Sequence, residues 1–422
     1  MLSPADWRGL RLVWAVLAVS FGLTQAFAPA GGAFFGACVM WAMIKRPGLI
    51  PALILGGVPL VDNVMPVGVK MSVVEVGLLL TGVGAVSSLI KRVGPMLLSV
   101  GLYLGVCVVS IGLTYRGAEA ISSWVQMVVY LVVAVGVFGR YVREPRQLVL
   151  ACVALVGTAL MLSGLLILIG RGGYVFQINK NSIGGTTGAA TIVAAAVWMH
   201  RRELGRPGRF ALVMVALGVG LFFTLSRGAW FSTFVGVILL AVMYRQWAVV
   251  FYGVVLGLVV AAVAYQFLPE SQQVYVMSAL DTESHSHGTR SENIGKAMHY
   301  FWEKPLFGSG LGLRKQYDAT NVVVFALAET GMIGLGAFLL IHLQAGLVLM
   351  GVRSRAGRDS LVFMAAALAA ALLFGRLAHG LVDHYWSRGA ISSVWCLLGA
   401  AIGLASRAKA VAARPEAQEE AE

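Results

Sequence analysis

Residues 147–169 read QLVLACVALVGTALMLSGLLILI, 23 consecutive positions without a charge. Wound as a helix at 1.5 Å per residue, such a run reaches about 34 Å, enough to cross the roughly 30 Å hydrocarbon layer of a bilayer. Arg143 and Arg146 before it and Arg171 after it mark its two ends. Working outward, comparable apolar runs fall at 10–27, 31–44, 48–61, 71–90, 95–114, 121–139, 184–199, 210–225, 229–244, 247–267, 321–351, 360–380 and 389–406. Several are shorter than the about 17 residues a spanning helix needs. The pair before residue 62 and the pair around Arg227 therefore read as half-helices or as longer helices cut by a polar break. The fold class is an all-α polytopic membrane protein of 12 to 14 transmembrane helices.

Composition agrees. Of 422 residues 59% are apolar and 12% charged, against about 25% charged in soluble domains, and the mean hydropathy is +0.82. A soluble enzyme of this length would need more polar surface to cover its core. The net charge of +13 is then a matter of membrane topology, and a nucleic-acid partner is not expected. Cys38, Cys107, Cys152 and Cys396 all lie in apolar runs without CxxC or CxxH spacing, which gives neither a disulfide framework nor a zinc site. The N-terminus, with Arg8 and Arg11 before an apolar run ending in Ala26-Phe27-Ala28, mimics a signal peptide but reads as a retained first helix.

Basic loops stay cytoplasmic. Arg8/Arg11, Lys45/Arg46, Lys91/Arg92, Arg140/Arg143/Arg146, Arg201/Arg202/Arg206/Arg209, Arg245, Arg353/Arg355/Arg358 and Arg407/Lys409/Arg414 fall on alternate loops and hold 20 of the 32 basic residues. Both termini are then expected in the cytoplasm. The chain divides into a transmembrane bundle 1–267, an outward loop 268–320 with an amphipathic helix, C-terminal transmembrane helices 321–406 and a polar, disordered cytoplasmic tail 407–422.

Twelve basic residues remain for the outer side: Lys70, Arg116, Arg171, Lys180, Arg227, Arg290, Lys296, Lys304, Arg314, Lys315, Arg376 and Arg388. An arginine in or beside a span costs roughly 2.5–3.5 kcal/mol on insertion scales, so it is retained for a partner. Structural ion pairs with Asp62, Glu75, Glu119, Glu329 or Asp383, or snorkelling to headgroups, account for some of them. An outward site for phosphate or diphosphate is the alternative, since a guanidinium bonds such oxygens bidentately. Arg227 interrupts an apolar wall in FFTLSRGAWFSTF, with Gly228 allowing close backbone approach. Arg290 opens TRSENIGKAMHYFWEKP, where Thr289 and Glu292 form a T-x-x-E capping box and Ile294, Ala297, Met298, Phe301 and Trp302 recur at helical spacing. Four residues before Ile294, Arg290 falls on the apolar side of that helix and points toward the membrane domain.

Three stretches together resemble the bacterial O-antigen ligase and O-antigen polymerase superfamily. They are NKNSIGG at 179–185, TLSRGAW at 224–230, and RSENIGKAMHYFWEKPLFGSGLG at 290–312 followed by LAETGMIGLGAFLL at 327–340. The resemblance implies a GT-C type glycosyltransferase in the bacterial inner membrane, with its active site facing the periplasm. It would move a glycan from an undecaprenyl-diphosphate carrier to a hydroxyl of lipid A-core or of another carrier-linked glycan, with membrane lipids around it and no metal or other cofactor. The family's arginines correspond to Arg227 and Arg290, as diphosphate ligands.

Members usually carry a His-Asn pair before the LAETG span. Here that place reads Thr320-Asn321, and His384 in AHGLVDHYWSRG at 378–389, on a short outer loop with His379, Asp383 and Arg388, is the candidate to orient or deprotonate the acceptor. Lys180, Asn181, Arg388, Asp383, Lys304 and Arg116 are the candidate substrate-binding residues, while Glu329 reads as a structural ion-pair partner. His285 and His287 lack a third ligand at metal-site spacing, and GSGLG at 308–312 reads as a tight turn. The first outer loop, FAPAGG, has no carboxylate, unlike the metal-using oligosaccharyltransferase branch. A lipid-linked oligosaccharide flippase is the competing class, but it should show internal repeats, and none is evident.

Overall fold

In hydrocarbon a backbone has no water to bond, so each apolar run must close its N–H and C=O groups within itself, and each does so as a helix. The computed structural model describes residues 2–60, 71–114, 117–169, 174–175, 178–205, 210–277, 285–313, 321–383 and 391–419. The first half holds α1 (Pro4–Ala26), α2 (Ala28–Lys45), α3 (Ile50–Gly57), α4 (Val73–Val83), α5 (Val86–Val93), α6 (Leu97–Leu113), α7 (Gly117–Val128), α8 (Val135–Tyr141) and α9 (Pro145–Ile169). A π-helical turn, Val129–Ala134, joins α7 to α8. A two-residue antiparallel pair, Tyr174–Val175 with Ile178–Asn179, leads into the second half. There follow α10 (Lys180–Glu203), α11 (Phe210–Phe223), α12 (Arg227–Tyr244), α13 (Trp247–Tyr265), α14 (Glu270–Met277), α15 (His285–Glu303), α16 (Val322–Ser354), α17 (Leu361–Val382) and α18 (Ser392–Glu419).

Among the described residues eleven helices are long and apolar enough to cross a membrane, and three more, Pro47–Gly57, Val73–Val83 and Phe210–Phe223, are apolar but shorter. The fold is the expected all-α polytopic one. In each of the two doubtful pairs one member is short and the other, α2 or α12, is long enough to span. Three local readings change. The run 71–90 is broken at Gly84-Ala85 into α4 and α5. The tail expected to be disordered continues α18 as far as Glu419. The helix α15 begins at His285, so Glu292 lies inside it rather than in a capping box at its start; the Thr289 side chain lies outside what the structure describes.

Helix α17 occupies the centre, packed against α10, α12, α16 and α18. Its run from Phe363 to Leu373 is wholly buried and alanine-rich, which lets neighbouring backbones close in. The helix α13 is the opposite case: it touches α11 and α12 and turns Phe251, Tyr252, Leu258 and Val259 outward, the surface a bilayer covers. Basic clusters share one end of the bundle. There Arg146 pairs with Asp6 of α1, Arg353 donates to the Met243 carbonyl at 3.3 Å, and Arg407 donates to the Arg140 carbonyl at 3.3 Å. The starts of α10, α12 and α16 and the end of α17 meet at the other end.

At that end α16 breaks at Gly331, whose φ of 66° and ψ of −168° only glycine adopts readily. A break of this kind strands backbone groups. The turn after α15 takes them up: Met332 N–H donates to the Pro305 carbonyl at 2.9 Å, Ser309 N–H to the Ala328 carbonyl at 2.9 Å, and Gly310 N–H to the Glu329 carbonyl at 3.1 Å. The Glu329 carboxylate accepts from Gly312 N–H at 2.7 Å. The Glu329 carboxylate is thus a clamp on the turn that GSGLG forms.

Candidate functional site

Helix α10 starts at Lys180 because Asn179 caps it, its side-chain oxygen accepting from Asn181 N–H at 2.7 Å. The Asn181 side chain reaches Asp383, the residue that ends α17, at 3.5 Å. Helix α12 starts at Arg227, after a three-residue break built on Leu225 in a left-handed conformation, φ 51°. Residues on both sides hold the break. Thr224 Oγ1 donates to the Leu221 carbonyl at 2.6 Å, Trp230 Nε1 donates to the same carbonyl at 2.9 Å, and the Trp230 ring stacks on Phe222 at 5.7 Å between centroids. A strained non-glycine residue fixed this firmly is a feature of functional sites. Ser226, the residue before Arg227, is buried against α10 and does not cap α12 with its side chain.

Between these two helix starts stands α17 with Arg376 and His379, 2% and 0% exposed. Arg376 Nη2 donates to the Gly185 carbonyl at 2.9 Å, and its Nη1 lies 3.2 Å from His379 Nδ1. The other edge of the imidazole lies on Gly228, the residue after Arg227: a Cβ there would fall 2.7 Å from His379 Cδ2 and 2.8 Å from Nε2. A Cβ at Gly185 would likewise fall 2.8 Å from Arg376 Nη1. Both contacts exist because neither position carries a side chain. Two helix N-termini, each with a positive partial charge, thus share one end of the bundle with Lys180, Arg227 and Arg376, and with Asp383 as the acid tied to Asn181. Such an arrangement favours an anion.

Arg290 comes from the neighbouring layer. On α15 it precedes buried Ala297 by seven residues and Phe301 by eleven, one stripe of the helix, and is itself half-buried. That stripe packs on α16 through Ala297, Leu313, Phe325 and Ala328, so Arg290 is on the side expected for it. Trp302 is not on the stripe; it is 70% exposed. Lys296 pairs with Glu292 at 2.6 Å, holding that carboxyl below its ordinary pKa. Lys304 is exposed and donates to the Leu113 carbonyl at the end of α6 at 3.4 Å, at the C-terminus of a helix rather than among these helix starts. His384, Arg388 and Arg116 lie outside the described residues, as does Thr320. Asn321 caps α16, accepting from Val323 N–H at 2.9 Å and Val324 N–H at 3.2 Å, and its amide donates to the Leu381 carbonyl at 3.0 Å.

Residues 210–339 match the family described as O-antigen ligase. Over that stretch the chain is similar to the O-antigen ligase family. The matched stretch runs from α11 to the first turns of α16 beyond the Gly331 break, and so carries Arg227, Arg290 and the clamped turn. Among curated proteins none matches the chain. A multi-pass membrane protein that carries such a stretch is what the fold and the match describe together.

The sequence places Arg376 among the outer-side bases and His379 on an outer loop, whereas α17 continues to Val382 and keeps both helical. The available signal was the pair itself, an arginine and a histidine three residues apart in the otherwise apolar LLFGRLAHGL.

Proposed function

We propose that the protein transfers a glycan from an undecaprenyl-diphosphate carrier to a hydroxyl of lipid A-core or of another carrier-linked glycan. The reaction takes place at the periplasmic face of the bacterial inner membrane, with both termini in the cytoplasm and no metal required. The observation that carries this reading is the convergence of the α10 and α12 N-termini with Lys180 and Arg227 at one end of a bundle whose residues 210–339 are similar to the O-antigen ligase family.

The acceptor oxygen attacks the anomeric carbon and forms the new glycosidic bond. The bond from that carbon to the carrier diphosphate breaks, and the diphosphate leaves with the electron pair. Negative charge therefore grows on the leaving oxygen. Guanidiniums from Arg227 and Arg290, aided by the α12 N-terminus, stabilise it more in the transition state than in the bound donor, which is the condition for a gain in rate. Lys180 and Asn181 hold the donor at the start of α10, and Asp383 orients Asn181. The acceptor proton passes to His384.

The test is transfer by purified protein from a defined undecaprenyl-diphosphate glycan. Arg227→Ala and Arg290→Ala should each lower kcat by about 100- to 1,000-fold, the scale of one lost charge-stabilising donor, with unfolding temperatures near wild type. Full activity in both variants would sink the proposal. Full activity in His384→Ala alone would move only the assignment of the base.

A further inference from the structure

Two bonds of Arg376 go inward, to Gly185 on α10 and His379 on its own helix. We propose that Arg376 and His379 are a positioning couple that sets the start of α12, and with it Arg227, against the start of α10. This rests on the diphosphate reading above and deepens it: the couple locates the group that grips the leaving diphosphate. Both residues lie outside the stretch 210–339 that matches the family.

The chemistry of the pair leaves one arrangement. A guanidinium carries only donors, so the imidazole nitrogen facing Arg376 Nη1 must be the acceptor. Nδ1 therefore holds the lone pair and the proton sits on Nε2, the edge laid on Gly228. The histidine is neutral, which rules it out as a second cation for the diphosphate; with its lone pair already taken by Arg376, it has none to accept a proton from an acceptor hydroxyl. It is a spacer of fixed tautomer. On its far side Arg376 is pinned to a helix carbonyl at 2.9 Å. The strut runs from the Gly185 carbonyl through Arg376 and His379 to Gly228, one residue from Arg227, and is completely enclosed. Two further close approaches stiffen it: a Cβ at Gly375 of α17 would fall 2.8 Å from the Ser232 carbonyl of α12, and one at Gly184 of α10 would fall 2.8 Å from Ser226 Cβ.

The experiment compares substitutions that keep or remove the acceptor at the Nδ1 position. His379→Asn puts a carboxamide oxygen near the place of Nδ1, whereas His379→Gln puts its amide near the place of Nε2 and leaves Arg376 without that acceptor. Transfer from the undecaprenyl-diphosphate glycan should fall on the order of 100-fold in kcat for His379→Gln and Arg376→Lys, the loss expected from misplacing a catalytic group by about 1 Å. KM for the donor should stay within about threefold, because uniform binding is retained. His379→Asn should recover to within about tenfold of wild type. In ¹⁵N-histidine spectra, with His379→Asn used for assignment, the His379 signals should be those of the Nε2–H tautomer and should change in Arg376→Lys. Equal rates for the Asn and Gln variants, wild-type kcat in both His379→Gln and Arg376→Lys, or a proton on Nδ1 would overturn the couple. A wild-type protein that transfers nothing would overturn the diphosphate reading, and this role with it, whereas active wild type with unaffected variants would overturn the couple alone.

Discussion

Replacing Gly228 by alanine tests the packing that the site depends on. The new methyl would stand 2.7 Å from His379 Cδ2, whereas ordinary contact begins at 3.4 Å, so ring or helix start must yield by about 0.7 Å. The ring has little room to retreat, since its other edge is bonded to Arg376, which is bonded to Gly185. Two energies oppose each other. Alanine gains at most about 1 kcal/mol of helix propensity over glycine, while overpacking a filled core costs about 1–3 kcal/mol. The net result is destabilisation of up to about 2 kcal/mol. If the α12 start gives way instead of the ring, Arg227 moves with it, and a shift approaching 1 Å at a catalytic group costs on the order of 100-fold. We expect a roughly 10- to 100-fold fall in kcat with a lowered unfolding temperature in detergent. Gly253→Ala is the matched control, because that position on α13 has nothing within 4 Å of a new Cβ. It should keep the wild-type rate and stability. If Gly228→Ala behaves like Gly253→Ala in both measurements, the contact between ring and helix does not position anything.

Three other outcomes follow from the same end of the bundle. Gly331→Ala forces a side chain into a conformation that costs about 1–3 kcal/mol, with its Cβ on the Leu306 carbonyl; the unfolding temperature should drop sharply, and an unchanged one would mean that α16 is not broken there. Glu329→Ala removes the acceptor of Gly312 N–H and should cost about 1.5–3 kcal/mol, read as a lower unfolding temperature and faster proteolysis within 305–313. Asn321→Asp keeps the cap of α16 but loses the donor to the Leu381 carbonyl, whereas Asn321→Ala loses both. The Ala variant should therefore be the less stable by about 1 kcal/mol, and equal stability would show that the cap contributes nothing.

Most of the fold was legible because a bilayer sets a length and forbids charge, and both are properties of a single run of residues. The fourteen apolar runs all reappear as helices. The failures lie where a local reading needed a distant partner. Gly84-Ala85 breaks the run 71–90, although hydropathy alone carries that run through. At Gly331 the helix can part because the turn after α15 supplies bonds to the stranded groups, and nothing in LAETG announces that turn. The clamp that Glu329 places on that turn is hidden for the same reason: the amide it accepts from is 17 residues away.

The site divides along the same line. Arg227 and Arg290 stand out in the sequence because each breaks a pattern in its own neighbourhood, one an apolar wall and the other the apolar face of an amphipathic helix. Arg376 also breaks a pattern, but its meaning depends on Gly185, 191 residues earlier, and on what is missing there. A buried guanidinium needs an acceptor and space together, and a glycine on α10 provides the carbonyl and the gap at one position. The same holds for His379 and Gly228. The small residues of NKNSIGG and SRGAW are thus the complement of the large polar ones in FGRLAHG, and α10, α12 and α17 fit only as a set. A change that enlarges one side should be rescued by one that shortens the other, so Gly185→Ala with Arg376→Lys should couple, whereas Gly253→Ala with Arg376→Lys should simply add.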